Sequence, residues 1–131
     1  MKVVVDTNVI VSGLLSPFGP PGKIVQMITI GDLILCLDAR IILEYKEVLS
    51  RKKFDFNQSQ VGIFLDQIEF KGEIISSKLL EIKLPDRNDE MFLEVALAGK
   101  AKYLITGNIK HFPANKYKGV KIINPTNFFH L

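Results

Sequence analysis

Four acidic side chains stand where they could share a divalent cation. Asp6 directly follows a run of valines, Glu44 lies at the margin of an apolar helical stripe, and Asp86 and Asp89 stand at the start of a later helical segment. Hard cations such as Mg²⁺ prefer carboxylate oxygens and retain several of their waters. Binding to such an ion lowers the pKa of a water molecule and prepares it for hydrolysis. The acids therefore predict a Mg²⁺ site.

Each acid also has an ordinary structural interpretation. Asp6 could cap the helix that follows it, and Glu44 alone would be a surface glutamate, because charged side chains are mostly exposed. Asp86 and Asp89 are spaced to cap free N–H groups at a helix N-terminus. For single residues these interpretations stay open, so the prediction of a metal site depends on where the fold places the acids together.

Uncharged polar residues beside the acids could orient them. Thr7 and Asn8 follow Asp6, and the sequence Thr-Gly-Asn, which contains Thr106 and Asn108, follows another apolar run. Hydroxyl and amide groups at such places can fix the orientation of a carboxylate or of a metal-bound water. They are also common turn residues, and a local turn or capping bond remains an alternative for each.

Short apolar segments rich in β-branched residues predict five strands. The segments are Lys2–Val5, Leu33–Leu37, 73–76, 103–106 and 120–124. Strands that alternate with helices and lack polar alternation favour a parallel sheet covered on both faces. Ligands of such sheets bind beyond the carboxyl ends of the strands. Asp6 and Asn108 both follow predicted strands, so we expect a site at that edge.

Apolar residues at helical spacing predict the helices between these strands. Pro21 suits the first turn of one helix and Gly31 its end, while Asp38 suits the N-cap of the helix that carries Glu44. Gly99 lies near the end of the helix that Asp86 and Asp89 open. A further helix has an apolar stripe that fits core packing, although a partner surface or a homodimer contact is an alternative; its residues are Val61, Phe64, Leu65 and Ile68.

The composition fits one globular domain over residues 1–131, with 47% hydrophobic and 24% charged residues. No apolar run approaches the roughly 20 residues that cross a bilayer, and Asp6 interrupts any signal-peptide core, so we expect no membrane association. The single cysteine, Cys36, allows no internal disulfide and lies in an apolar run, where a buried inert thiol is expected. A reducing cytoplasm is the simplest location.

The net charge of +3 and the pI of about 9.0 favour an anionic partner. Of the 14 acidic residues, four are the candidate site acids, which leaves 10 acids against 17 bases on the rest of the chain. Two basic runs, Ser50–Lys53 and Lys116–Lys121, are candidate phosphate contacts, although a solvated face is the commoner explanation of such runs.

The order of these segments resembles the PIN-domain family. The similarity comprises VVVDTNVIVSGLL at the N-terminus, an acid on the helix after the second strand, and DRNDEMFLEVALAGKAKYLITGN followed by KHF. It extends from Lys2 to about Phe128, and is closest to the branch of VapC-like ribonucleases, the toxins of toxin–antitoxin pairs. The resemblance implies a three-layer α/β/α sandwich around a central, mainly parallel sheet of about five strands.

The resemblance also implies a function and a set of site residues. Asp6, Glu44 and Asp89 match the family's catalytic and metal-binding acids, with Asp86 as an additional acid nearby. The implied activity is an endoribonuclease that uses Mg²⁺ or Mn²⁺ to hydrolyse RNA phosphodiester bonds. The fourth family position is often an aspartate, but here it is Asn108, whose amide adds no negative charge. This departure affects a second metal ion more than the first.

Two further inferences follow from the resemblance. A small antitoxin protein is the implied partner, with an amphipathic segment that would lie in a groove and cover the acidic site. The alternative function is a catalytically weak or silent PIN-like module that binds RNA or protein, which Asn108 keeps open.

Two other classes of protein are disfavoured. A phosphorelay receiver is disfavoured because EIISSK contains no aspartate, and a dinucleotide-binding domain because no Gly-x-Gly-x-x-Gly follows a strand.

Overall fold

The computed structural model describes every residue from Met1 to Leu131. It contains one six-stranded sheet in the order β3-β2-β1-β4-β6-β5. Every neighbouring pair is parallel except β5 and β6, which are antiparallel. The strands are β1 (Lys2–Val5), β2 (Ile34–Leu37), β3 (Glu73–Ile74), β4 (Tyr103–Ile105), β5 (Lys116–Tyr117) and β6 (Val120–Ile123).

Helices flank this sheet and complete a three-layer α/β/α sandwich. They are α1 (Thr7–Leu15), α2 (Pro20–Ile30), α3 (Ala39–Leu49), α4 (Gln58–Lys71), α5 (Glu90–Ala98) and the short α6 (Pro125–Phe128). The expected boundary signals are present: Asp38 accepts a hydrogen bond from the backbone N–H of Ile41 at 3.0 Å, and Gly31 ends α2 with a positive φ of 90°. No helix is long and apolar enough to cross a membrane.

Strand β1 lies at the centre of the hydrophobic core. Its three valines are completely buried between β2 and β4, which explains their unbroken apolar run. The hydroxyl of Tyr45, which is also fully buried, donates a hydrogen bond to the carbonyl of Val5. This contact ties α3 to the carboxyl end of β1, the place where the site acids begin.

The four apolar residues of α4 are buried in the same core, so core packing accounts for them and the alternative of a partner surface is wrong for these side chains. Cys36 is likewise buried, and burial raises the pKa of its thiol to about 11, as expected for an inert cysteine.

A long connection between β3 and α5 is held in place by two glutamates of α5. The carboxylate of Glu94 accepts the backbone N–H of Leu80 at 2.9 Å, and that of Glu90 accepts the N–H of Leu84 at 3.0 Å. Glu94 is only 4% exposed and also forms an ion pair of 2.6 Å with Arg40 at the start of α3. Helices α3 and α5 are therefore fixed relative to each other beside the carboxyl edge of the sheet.

The expected sheet differs from the observed one at its edge. Six strands are present rather than about five, because Lys116–Tyr117 pairs antiparallel with β6. The turn between them contains Lys118 and Gly119, both with positive φ. A two-residue strand has too few positions to show a period of two, which is why the sequence does not predict it.

Candidate metal centre

Asp6 lies immediately beyond the carboxyl end of β1, where the backbone passes into α1. Its backbone N–H continues the sheet pattern to the carbonyl of Ile105 at 3.0 Å, and its side chain accepts the N–H of Asn8 at 3.3 Å as the N-cap of α1. The hydroxyl of Thr106 donates a second hydrogen bond to this carboxylate at 2.7 Å. Asp6 is 5% exposed, so these contacts fix its orientation.

Glu44 reaches the same place from α3. It is half-buried, and the hydroxyl of Thr7 donates a hydrogen bond to its carboxylate. Burial raises the pKa of Glu44, and the nearby negative charges of Asp6 and Asp89 raise it further, while the bond from Thr7 acts in the opposite direction. The proximity of three carboxylates is thus visible in the electrostatics of Glu44.

Asp89 ends a 3₁₀ turn, Arg87–Asp89, that leads into α5. Its carboxylate makes no capping bond to α5, so the capping interpretation is wrong for this residue. It lies 2.9 Å from Nδ1 of His111. Burial raises the pKa of Asp89, the bond to His111 lowers it, and the charges of Asp6 and Asp86 raise it. Asp89 therefore belongs electrostatically to the acid group.

The two remaining residues of the expected set lie beside these three acids. Asp86 caps the 3₁₀ turn by accepting the N–H of Asn88 at 2.9 Å, so the capping interpretation holds for it. The backbone N–H of Asn108 donates to the Thr106 hydroxyl at 3.0 Å. An open cavity of about 240 Å³ is lined by seven residues expected at the site: Asp6, Thr7, Asn8, Glu44, Asp86, Asp89 and Asn108.

One wall of this cavity is basic and aromatic. Arg51, Lys53 and Phe54 line it, on the segment that follows α3. Of the two basic runs in the sequence, the one at 50–53 therefore lies at the acids. The other, at 116–121, contributes no residue to this cavity.

Of the residues at the site that were not predicted, two bear on its chemistry. His111, on a 3₁₀ turn directly after Asn108, contacts Asp89, and with Asp86 it completes a trio whose ligand atoms lie within 4.8 Å of one another. Phe54 lies on the cavity wall although the sequence showed no aromatic array. The position of His111 just after the Thr-Gly-Asn turn is a sequence signal that could have identified it as a site residue. For Phe54 the only such signal was the pair of lysines before it.

The donor set fits a divalent cation. Asp6 and Glu44 form no ion pair with a basic side chain, and Asp89 pairs only with His111. Two of these carboxyl groups have raised pKa values because like charges and burial oppose ionisation. Uncompensated carboxylate oxygens around a polar cavity are the ligands expected for Mg²⁺ or Mn²⁺.

Comparison with known families agrees with this geometry. The model of the PIN domain family matches residues 2–110, which include all of the acids. The chain belongs to the PIN domain family. The matched range includes the three acids and Asn108.

Two individual proteins are similar to this PIN domain. An uncharacterized protein of Methanocaldococcus jannaschii is 32% identical over 130 residues, which cover 95% of this chain and 83% of that protein. Among solved structures, VapBC2 from Rickettsia felis, bound to a DNA fragment from their promoter, contains a chain that matches with a TM-score of 0.62 and 22% identity. That match covers 95% of this chain and 98% of the other, and it shows the same fold.

Proposed function

We propose that this PIN domain is a metal-dependent endoribonuclease that hydrolyses RNA phosphodiester bonds. The observation that carries the proposal is that Asp6, Glu44 and Asp89, which are 38 or more residues apart in the sequence, line one cavity at the carboxyl edge of the sheet. Membership of the PIN domain family supports it. The mutual repulsion of three neighbouring carboxylates lowers the stability of the fold. A purely structural role would therefore not account for their being gathered in one place.

In this proposal the protein's own residues hold and orient the reacting groups. Asp6, Asp89 and Glu44 hold Mg²⁺ or Mn²⁺, which when bound supplies a water of lowered pKa and stabilises charge on the phosphoryl oxygens. Thr106 fixes the carboxylate of Asp6, and Thr7 fixes that of Glu44. Lys53, which forms no ion pair, attracts the phosphate backbone to a cavity that would otherwise repel it, and Arg51 lies beside it in an ion pair with Glu47.

Asn108 favours a single strongly held ion. Its amide oxygen can accept a metal ion or a water, but it adds no charge to the site. Asp86 is exposed and already caps a turn. We therefore assign both residues supporting roles, together with Thr7, Asn8 and Thr106.

We further propose that the chain is the toxin of a type II toxin–antitoxin pair and acts in the cytoplasm. The sequence resemblance to VapC-like ribonucleases and the fold shared with a chain of VapBC2 support this assignment. The expected partner is a small antitoxin that covers the acidic cavity. A homodimer remains a prediction, and its measurement is the mass of the purified protein in solution.

Cleavage of a mixed panel of RNAs tests the enzymatic proposal. The protein is incubated with EDTA, Mg²⁺ or Mn²⁺, beside an Asp6→Asn variant and an Asp66→Asn control, since Asp66 is exposed on α4 and far from the site in the sequence. We expect metal-dependent cleavage by the wild type and by the control, and none by Asp6→Asn.

The alternative function, a silent PIN-like binding module, predicts a different result. In that case a folded wild-type protein, free of any antitoxin, cleaves none of the RNAs with either metal. The toxin assignment has a separate test: the product of a short adjacent gene, when added, should stop the cleavage and bind the protein. Cleavage that no such product inhibits would support the nuclease assignment and contradict the toxin assignment.

A further inference from the structure

The segment after α3 presents a charged and aromatic surface to the metal cavity. Arg51, Lys53 and Phe54 line the cavity from one short stretch of chain, the 3₁₀ turn Lys52–Phe54 and the residue before it. We call these three residues the rim. The rim is rigid: the N–H of Phe54 bonds to the carbonyl of Arg51 at 3.2 Å, and Asp55 closes the turn with a φ of 52°.

Phe54 is anchored but not fully covered. It packs against the hydrophobic core and stacks on Phe56 with ring centroids 5.7 Å apart and an interplanar angle of 25°. The ring remains partly exposed at the cavity, and the ammonium of Lys53 lies 5.0 Å from its centroid. Lys53 is exposed, and the rotatable bonds of its long side chain allow its ammonium to leave the ring and pair with a phosphate group. That movement would uncover an aromatic face.

Next to the acids, on the side of Asn8, the surface has a different character. A second cavity of about 340 Å³ adjoins the first at Asn8, which lines both. No charged residue lines this second cavity; its polar groups are the side chains of Asn8, Ser12, Asn124 and Thr126. A nucleic acid strand that leaves the acids toward this second cavity therefore meets no charged side chain there.

We propose that the rim is a subsite for the nucleotide next to the scissile phosphate, with its base stacked on Phe54 and its phosphate paired with Lys53. This inference rests on the proposed function, because it takes RNA as the substrate. Aromatic rings stack on bases of unpaired strands with little regard for base identity. The rim therefore selects single-stranded RNA over a duplex, in which both faces of each base are already stacked.

A fluorescence experiment tests the subsite without any cleavage. The chain contains no tryptophan, so Phe54→Trp creates a single reporter at the rim. Phe70→Trp, on α4 where Phe70 is 89% exposed, is the matched control. Each variant is titrated in EDTA at low ionic strength with an unstructured RNA of about 12 nucleotides, the same RNA in a duplex, and an abasic version.

We expect the unstructured RNA to quench the Phe54→Trp variant strongly, with little quenching by the duplex or the abasic strand, and none in the control. In an anisotropy assay Phe54→Leu should bind the unstructured RNA about tenfold more weakly, and Phe70→Leu as well as wild type. Lys53→Ala should reduce the slope of log affinity against log salt by about 0.7, as expected for one phosphate contact to a single strand.

Equal quenching by the duplex or abasic strand, or no quenching at all, would overturn the subsite. The cleavage assay stands apart from this result. Metal-dependent cleavage without quenching would support the nuclease proposal and contradict the subsite. Quenching without cleavage would support a binding site for single strands and contradict the nuclease proposal.

Discussion

The hydroxyl of Thr106 lies 2.7 Å from the carboxylate of Asp6, although the two residues are 100 positions apart in the chain. The same hydroxyl oxygen accepts the backbone N–H of Asn108 at 3.0 Å. Because an ionised carboxylate can only accept, the hydroxyl hydrogen of Thr106 is directed at Asp6. A neutral side chain at the carboxyl end of β4 thus sets the orientation of an acid at the carboxyl end of β1.

Replacing Thr106 with valine should remove this orientation while it preserves the shape of the side chain. We expect Mg²⁺-dependent cleavage to fall about tenfold, as is typical when a group that orients a metal ligand is lost. Single-turnover kinetics across a range of Mg²⁺ concentrations measure the effect. Thr29→Val is the matched control, because the hydroxyl of Thr29 donates only to the carbonyl of Gln26 within α2. Unchanged cleavage by Thr106→Val would contradict the role given to its hydroxyl.

Glu44→Gln should stabilise the metal-free protein. The raised pKa of Glu44 means that its ionised form is disfavoured in the fold, by burial first and then by Asp6 and Asp89. Removing the charge should raise the Tm in EDTA, whereas the Tm gain on adding Mg²⁺ should shrink. For the wild type, Mg²⁺ at ten times its Kd adds about 1.4 kcal/mol, or about 5 °C for a domain of this size.

Thermal unfolding in EDTA and in Mg²⁺ measures both effects of Glu44→Gln. Glu69→Gln, in an exposed ion pair with Lys46 on another helix, is the control and should leave the Mg²⁺ response intact. A Glu44→Gln protein that is less stable in EDTA and responds fully to Mg²⁺ would show that Glu44 is an ordinary structural residue.

The stabilisation by Mg²⁺ should increase with pH. The pKa values of Glu44 and Asp89 are raised above the ordinary 4.5 and 3.8, by burial and by neighbouring acids. A group whose pKa is raised by folding contributes stability that is complete below its unfolded pKa and is lost as the pH rises through its folded pKa. Metal-free protein therefore loses this contribution in the pH range where the carboxylates become able to bind Mg²⁺.

Comparing the Tm with and without Mg²⁺ at pH 5 and pH 7.5 measures this effect, because titrating groups away from the cavity cancel in the difference. We expect the smaller gain at pH 5. A gain that does not change with pH would mean that these two carboxyl groups do not bind the ion.

Arg40→Ala should destabilise the whole fold. Glu94 is 4% exposed, and Arg40 is its only charged partner, so the variant leaves a carboxylate buried and unpaired. Removing one partner of a fully buried ion pair costs about 3–5 kcal/mol of stability. Because the side chain of Arg40 is 44% exposed, solvent screens this pair, and we expect the free energy of unfolding to fall by about 2 kcal/mol. Urea unfolding measures it. Lys46→Ala, which breaks the exposed pair with Glu69, should cost less than about 1 kcal/mol.

Much of the fold follows from local sequence signals. The apolar runs of β1, β2 and β4 and the caps Asp38 and Gly31 are visible in the sequence because each depends on neighbouring residues. Strand β5 and the connection before α5 were not predicted, because they are ordered by distant groups. The backbone of that connection is held by Glu90 and Glu94, and no pattern in the sequence says that these glutamates point inward.

The residues of the candidate site likewise divide into those that the sequence predicts and those that only the folded structure brings into place. The rule that sites lie beyond the carboxyl ends of parallel strands, together with the family resemblance, was enough to group Asp6 with Glu44 and Asp89. Phe54 and His111 were missed because their contribution depends on where a turn folds in space. The pairing of Arg40 with Glu94, 54 residues apart, was likewise out of reach of any local pattern.

The position of β1 in the middle of the sheet has a consequence during translation. Its second neighbour, β4, is synthesised about 100 residues later. A nascent chain or a premature-termination product that ends before Tyr103 has Asp6 and Glu44 but lacks both Thr106 and the strand that seats β1 from its other side. We therefore expect truncated products to be inactive as well as unstable, and the arrangement of acids to be complete only when the segment from Tyr103 to the C-terminus has folded.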